Sequence, residues 1–145
     1  MEKQVKQVLF SCTLNAIRSV MAEAIFNKIA PESWKSVSCG VIAGPPDGFT
    51  FAVMEEKGIT IDLNRQPKLF TDFHAGEFDY AVSLSIEAKY HIDKWGELVP
   101  HEHWHIKEPF SADENREAQL KHYRVNRNEI SKYVIELIKR ITDNT

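Results

Sequence analysis

Val8-Leu9-Phe10-Ser11-Cys12-Thr13-Leu14-Asn15-Ala16-Ile17-Arg18-Ser19, continuing into Val20-Met21-Ala22-Glu23-Ala24-Ile25-Phe26, passes from an apolar run into a helical pattern across a few polar residues. The first half is rich in β-branched and aromatic side chains and predicts a buried strand over residues 5–11. In the second half Val20, Met21, Ala24, Ile25 and Ile29 fall on one helical face, with Ser19 suited to cap the helix and Pro31 to end it. A strand-to-helix junction of this kind is an oxyanion cradle. The first amides of a helix lack internal partners, and the helix dipole favours negative charge at that end. The same field favours the thiolate of a cysteine placed there, turning an inert thiol into a nucleophile.

Thiolate attack on phosphorus needs an activated sulfur, donors for the equatorial oxygens and an acid for the departing oxygen. The loop supplies the first two. Cys12 is the candidate nucleophile, and the amides of Thr13, Leu14, Asn15, Ala16, Ile17 and Arg18 are placed to curl round a phosphoryl group. Arg18 offers a planar guanidinium fork to two of its oxygens. Ser19 can give its hydroxyl to the sulfur, and Asn15 tolerates left-handed backbone angles and can brace the loop with its amide.

Outward from this stretch, strands alternate with helices. Residues 37–42 read as a second strand, and Gly44-Pro45-Pro46-Asp47-Gly48 as a loop. Residues 49–57 read as a short helix ended by Gly58, and residues 67–73 as another short helix. A third strand is expected over residues 78–84, a helical or irregular stretch over 86–95 and a fourth strand over 97–106. Ser111 and Glu114 form a capping box for a long final helix, where Leu120, Tyr123, Ile130, Val134, Leu137, Ile138 and Ile141 recur at helical spacing. The alternation predicts an α/β fold with a parallel sheet covered on both faces. In such sheets ligands bind at the carboxyl ends of the strands, where Cys12 falls.

With 145 residues and 43% hydrophobic content, one domain spanning residues 1–145 is expected. The net charge of -3, with basic residues scattered, excludes a phosphate-neutralising stripe and argues against a nucleic-acid partner. No run of 18 apolar residues and no signal-like start is present, so neither a membrane nor secretion is expected. Two cysteines, Cys12 and Cys39, make no disulfide framework and point to a reducing cytoplasm. Cys39 reads as a small core residue, and Trp34, Trp95 and Trp104 as packing residues, with Trp104 able to flank the segment after it. His101, His103 and His105 alternate as on one strand face, a solvated face rather than a metal site.

The run Val8 to Thr13 with Asn15, Arg18, Ser19 and Met21-Ala22-Glu23-Ala24 resembles the low-molecular-weight protein-tyrosine phosphatases and the related thioredoxin-coupled arsenate reductases. The likeness continues through Ala43-Gly44, residues 54–61, residues 78–84 and Glu108-Pro109. It implies a four-stranded parallel sheet flanked by helices on both faces. It also implies hydrolysis of aryl phosphate monoesters such as phosphotyrosine through a phosphocysteine, with no metal or other cofactor. The partner would be a phosphorylated protein or a small aryl phosphate, with inorganic phosphate or other oxyanions as further ligands. The family's acid is an aspartate just before a proline, and the dipeptide that matches is Glu108-Pro109, followed by Phe110 where the family has an aromatic wall.

Several residues depart from the family pattern. Leu14 stands where glycine is usual, Val20 where proline is common, and Glu108 where the acid is Asp. The extra methylene displaces a carboxyl by about an ångström, and misplacements of that order cost roughly 100-fold in rate. Asp113 is an alternative acid without the proline. The reductases carry further cysteines after the third strand, where this chain has Ser83 and Ser85. Two alternatives stay open: an oxyanion-binding module with little turnover, and an arsenate reductase that uses an external thiol.

Overall fold

The computed structural model describes residues 5–110 and 115–143. Four strands, β1 (Lys6–Cys12), β2 (Trp34–Gly40), β3 (Tyr80–Ser83) and β4 (His101–His103), form one wholly parallel sheet in the order β2-β1-β3-β4. Because side chains alternate across a strand, β1 serves two cores. Val8, Phe10 and Cys12 face one cluster, which α1 (Arg18–Ile29), α2 (Gly48–Glu55) and α4 (Arg116–Thr142) complete through Met21, Phe26, Met54 and Ile130. Leu9 faces the other, closed by α3 (Ile86–Trp95) through Ala88 and Ile92 and by Phe70, Ala75 and Phe78. The result is the expected α/β arrangement of a four-stranded parallel sheet with helices on both faces.

Chain direction across the sheet creates the cleft. From β1 the chain crosses to β2 on one side, then returns past β1 to β3 on the other. The connections therefore leave the carboxyl ends of β1 and β3 in opposite directions, which opens a crevice there. Cys12 is the last residue of β1, and Leu84, just past β3, donates its amide to Ser11 O at 2.8 Å.

Local chemistry moves several boundaries. β2 starts three residues before the expected point, because Trp34 and Ser36 pair with Lys6 and Val8. It stops at Gly40, and Val41 and Ile42 give their amides to Thr13 O at 2.9 Å instead of prolonging the ladder. The expected helix over residues 67–73 shrinks to a single 3₁₀ turn, Phe70–Asp72, since Leu69 is engaged in a bridge with Gly40. Ser19 does not cap α1. Ile17 holds that position without a side-chain bond, and Ser19 lies inside the helix with its hydroxyl turned to Cys12. Ser111, Asp113 and Glu114 lie outside the described residues, and α4 is capped by Asn115, whose Oδ1 accepts from Ala118 N at 2.8 Å.

α2 and α4 are joined by charge. Buried Arg127 donates through Nη1 to Val53 O at 2.7 Å and to Glu56 Oε1 at 2.8 Å, and Arg124 adds three bonds to the same carboxylate. Hydrogen bonds from Arg124 and then Arg127 hold the Glu56 carboxyl down to about 2 from an ordinary 4.5. A carboxyl lowered on folding stabilises fully above its unfolded value and progressively less as pH falls toward the folded one. Arg127→Ala is expected to cost about 2 kcal/mol at pH 7. Its Tm deficit relative to the native chain should narrow between pH 5 and pH 2; a deficit constant across that range would contradict the pairing.

Candidate active site

Five residues, 13–17, turn the chain from β1 into α1. The turn requires Asn15 to adopt φ 53°, the only positive φ at a non-glycine position among the described residues. Asn15 is 1% exposed, and its side chain uses every hydrogen-bonding position it has. Nδ2 donates to Ser19 Oγ at 3.0 Å and to Ser38 Oγ at 2.9 Å. Oδ1 accepts from the Lys68 amide at 2.9 Å and from Arg65 Nη2 at 3.0 Å.

Ser19 passes this order to the sulfur. Its Oγ stands 2.9 Å from Cys12 Sγ, and with Asn15 filling an acceptor site the hydroxyl proton is free to point at sulfur. Cys12 itself is 3% exposed, with that limited surface on a cavity of about 190 Å³. Thr13, Leu14, Ala16, Ile17, Arg18, Glu87 and Glu108 line the rest. The loop is clamped from below by close backbone approach. A Cβ on Gly40 would stand 2.7 Å from Asn15 N and 2.9 Å from Leu14 C, and one on Gly44 would stand 2.8 Å from Leu14 Cβ.

Arg18 is the first residue of α1, but its fork is not wholly free. Nη1 donates to Leu84 O at 3.1 Å and to Ile106 O at 3.0 Å, which ties α1 to the ends of β3 and of the segment after β4. Nε and Nη2 can serve an anion from this anchored position. Glu108 is exposed, and its loop is held to α4 by Asn126 Nδ2, which donates to Lys107 O at 2.6 Å. Phe110, 74% exposed, is not on the Cys12 cavity. It lines an adjoining groove with Pro45, Pro46, Phe49 and Tyr123, which shares Leu14, Ala16, Ile17 and Glu108 with that cavity.

Three contributors were absent from the expected set. Glu87, on the first turn of α3, lines the cavity, and its Oε2 accepts from Thr13 Oγ1 at 3.4 Å. Its place just past a strand's carboxyl end was the available signal. Arg65 and Ser38 brace Asn15 from residues distant in sequence, and no local pattern marks them. Cys39 pairs in register with Ser11 and so faces the Leu9 side of the sheet, opposite Cys12. Burial raises its thiol far above the usual range. The three histidines do not converge: His101 Nδ1 binds Val99 O at 3.0 Å and His103 Nδ1 lies 2.8 Å from Ser83 Oγ. Among the described residues no three His, Cys, Asp or Glu side chains are grouped to hold a metal ion, and no helix is long and apolar enough to cross a membrane.

The close approach at Gly40 is open to measurement. Gly40→Ala is expected to lower stability by about 1–3 kcal/mol, because the atoms nearest the new methyl, Asn15 N, Ile42 O and Leu14 C, are backbone and cannot rotate away. Amide resonances of residues 13–17 should move with it; unchanged stability and unchanged resonances would count against the clamp.

A family model of low molecular weight phosphotyrosine protein phosphatases matches residues 7–145. An arsenate reductase of Oceanobacillus iheyensis is 31% identical over 117 residues, which are 79% of this chain and 81% of that protein. The solved arsenate reductase of Archaeoglobus fulgidus superposes with a TM-score of 0.69 at 29% identity, over 91% of this chain and 98% of that one. A low molecular weight protein tyrosine phosphatase from T. tengcongensis shares the fold, with a TM-score of 0.77 at 23% identity over 93% and 99% of the two chains. From β1 through the cysteine loop to the last helix, the chain belongs to the low molecular weight phosphotyrosine protein phosphatase family.

Proposed function

We propose that the protein hydrolyses aryl phosphate monoesters, phosphotyrosine among them, through a phosphocysteine at Cys12. One observation carries the reading: Glu108 lines the same cavity as Cys12, while the other cysteine of the chain is buried on the opposite face of the sheet. In the first step the thiolate forms the S–P bond and the P–O bond to the leaving group breaks, with Glu108 giving its proton to the departing oxygen. In the second, water attacks phosphorus, Glu108 takes a proton back, and inorganic phosphate and the thiolate are released. Thr13, Leu14, Asn15, Ala16, Ile17 and Arg18 present amides to the equatorial oxygens, and Arg18 adds Nε and Nη2. Ser19 stabilises the sulfur anion in both steps. The groove that carries Phe110 receives the leaving ring beside Glu108.

Arsenate reduction is the second reading, favoured by the names of the relatives. Arsenate is also a tetrahedral oxyanion open to thiolate attack, and the first step would use the same loop. Reduction then needs two electrons from thiols. Cys39 faces away from Cys12, so this chain would draw them from another molecule such as glutathione or a small dithiol protein.

Turnover of an aryl phosphate without added metal, abolished in Cys12→Ser, is expected. Glu108→Gln should lower kcat by about 100-fold or more for phenyl phosphate and by less for nitrophenyl phosphate, whose leaving group needs little protonation. Acid quenching of that variant should trap phosphate on Cys12. A native rate no higher than that of Cys12→Ser, together with arsenate-dependent oxidation of glutathione, would replace this reading with the second. Glu87 places a fixed negative charge on the cavity wall, so Glu87→Gln is expected to lower KM for small aryl phosphates roughly threefold with little change in kcat.

A further inference from the structure

We propose that Arg65 is a positioning residue whose guanidinium serves as a built-in cation behind the phosphate loop, fixing Asn15 and through it the Ser19 hydroxyl on Cys12. Its side chain makes two bonds to one residue, Nη1 to Asn15 O at 3.2 Å and Nη2 to Asn15 Oδ1 at 3.0 Å. The pair clamps backbone and side chain together at the one non-glycine residue that, among the described residues, is held at positive φ. Nη2 also lies 3.5 Å from Ser38 Oγ, and Ser38 in turn donates to Glu23 Oε1. Three oxygens, Asn15 O and Oδ1 and Ser38 Oγ, thus lie within 3.5 Å of one guanidinium, and Ser38 links it to the Glu23 carboxyl.

Without that group this support is lost. Asn15 Oδ1 would keep only the Lys68 amide, so the side-chain amide would be held less firmly in the orientation that serves Ser19 and would rotate more easily. Rotation withdraws Nδ2 from Ser19 Oγ, the acceptor site it fills is vacated, and the serine proton is no longer directed at sulfur. Arg65 is placed for this task by its own turn: Arg65 N donates to Asp62 O at 3.1 Å, and Asn64 N to Asp62 Oδ1 at 2.9 Å. It is half-buried and lines a cavity of about 500 Å³ that Glu23, Asn27, Lys28 and Asp62 also border. That cavity gives a small solute access to the space a truncated Arg65 would vacate.

The test reads the thiol rather than turnover, so it stands apart from the phosphatase reading, on which only its activity arm rests. The rate of Cys12 alkylation by iodoacetamide is followed against pH, with Cys12→Ser as the blank for Cys39. Arg18 at the helix start and Glu87 and Glu108 across the cavity are unchanged throughout, as is Glu23 behind the loop. In Arg65→Ala the profile should move to higher pH by about one unit, slowing alkylation about tenfold on its rising limb. Arg65→Lys should lie between the two, and guanidinium at concentrations well below those that unfold the protein should restore Arg65→Ala but not change the native chain. On aryl phosphate, kcat should fall in parallel while KM moves less.

A structural role alone would lower Tm without displacing the alkylation profile. Superposed profiles for native, Arg65→Lys and Arg65→Ala protein would overturn the proposal, as would guanidinium acting equally on native and variant chains. Should Arg65→Ala fail to fold, Arg65→Lys and Arg65→Gln carry the same comparison. If native protein turns over no aryl phosphate yet the alkylation profiles separate as expected, the phosphatase reading fails and the role of Arg65 stands.

Discussion

The site depends on one side chain being fully satisfied while its backbone is not relaxed. Asn15 is held at φ 53°, a conformation an L-residue adopts at a cost, and it stays there because four hydrogen bonds to its amide group and one to its carbonyl all fit that orientation. Those partners come from α1, from β2 and from residues 65–68, so three separate segments must be in place before the loop can hold its shape. The strain is thus supported by the tertiary fold rather than by the loop's own sequence. Gly40 and Gly44 complete the constraint, because the loop lies closer to them than any side chain would allow.

The same economy of contacts joins Cys12 to Glu108. Arg18 reaches from the first turn of α1 to the carbonyls of Leu84 and Ile106, the chain positions just past β3 and β4. One guanidinium nitrogen therefore ties together three elements that leave the sheet at its carboxyl edge. Two residues after Ile106 comes Glu108, and Asn126 fixes the intervening backbone to α4. The carboxyl ends up on the Cys12 cavity although 96 positions separate it from the thiol in sequence, because parallel strands deliver their ends to one side of the sheet.

Much of this was legible where the signal was local. The apolar run before Cys12, the helical spacing after it and the position of Asn15 and Ser19 within the loop are short-range patterns, and they set out the fold class and the place of the Cys12 loop. Ser19 was misread as a cap because a serine before a helical run has two partners available, the helix amides and whatever lies behind it, and only packing decides between them. Residues 62–66 received no assignment for a similar reason. Arg65 acts on a residue 50 positions away, and neither charge nor spacing near it announces that. β2 was placed too late because an edge strand with serines on one face lacks the apolar run that marks β1, and its register is imposed by pairing with β1. The helix expected at residues 67–73 lost to a single bridge at Leu69, a long-range contact with no local trace.

What separates the two chemistries available to this loop is the second nucleophile, not the first. Both begin with thiolate attack on a tetrahedral oxyanion held by the same amides, so the loop alone does not choose. After that step the sulfur is almost wholly enclosed, and whatever attacks next must enter through the cavity that Glu87 and Glu108 line. A second cysteine of the same chain cannot do so, since Cys39 is on the far face of the sheet with its thiol held protonated by burial. Water can enter, and a carboxylate on the wall can take its proton, which is all that hydrolysis of a phosphocysteine requires. A thiol arriving from outside would have to pass two carboxylates, and as a thiolate it would be repelled by both. On the proposed reading water is that second nucleophile, and because the two cysteines lie on opposite faces of the sheet, reduction of arsenate would have to take its thiols from another molecule.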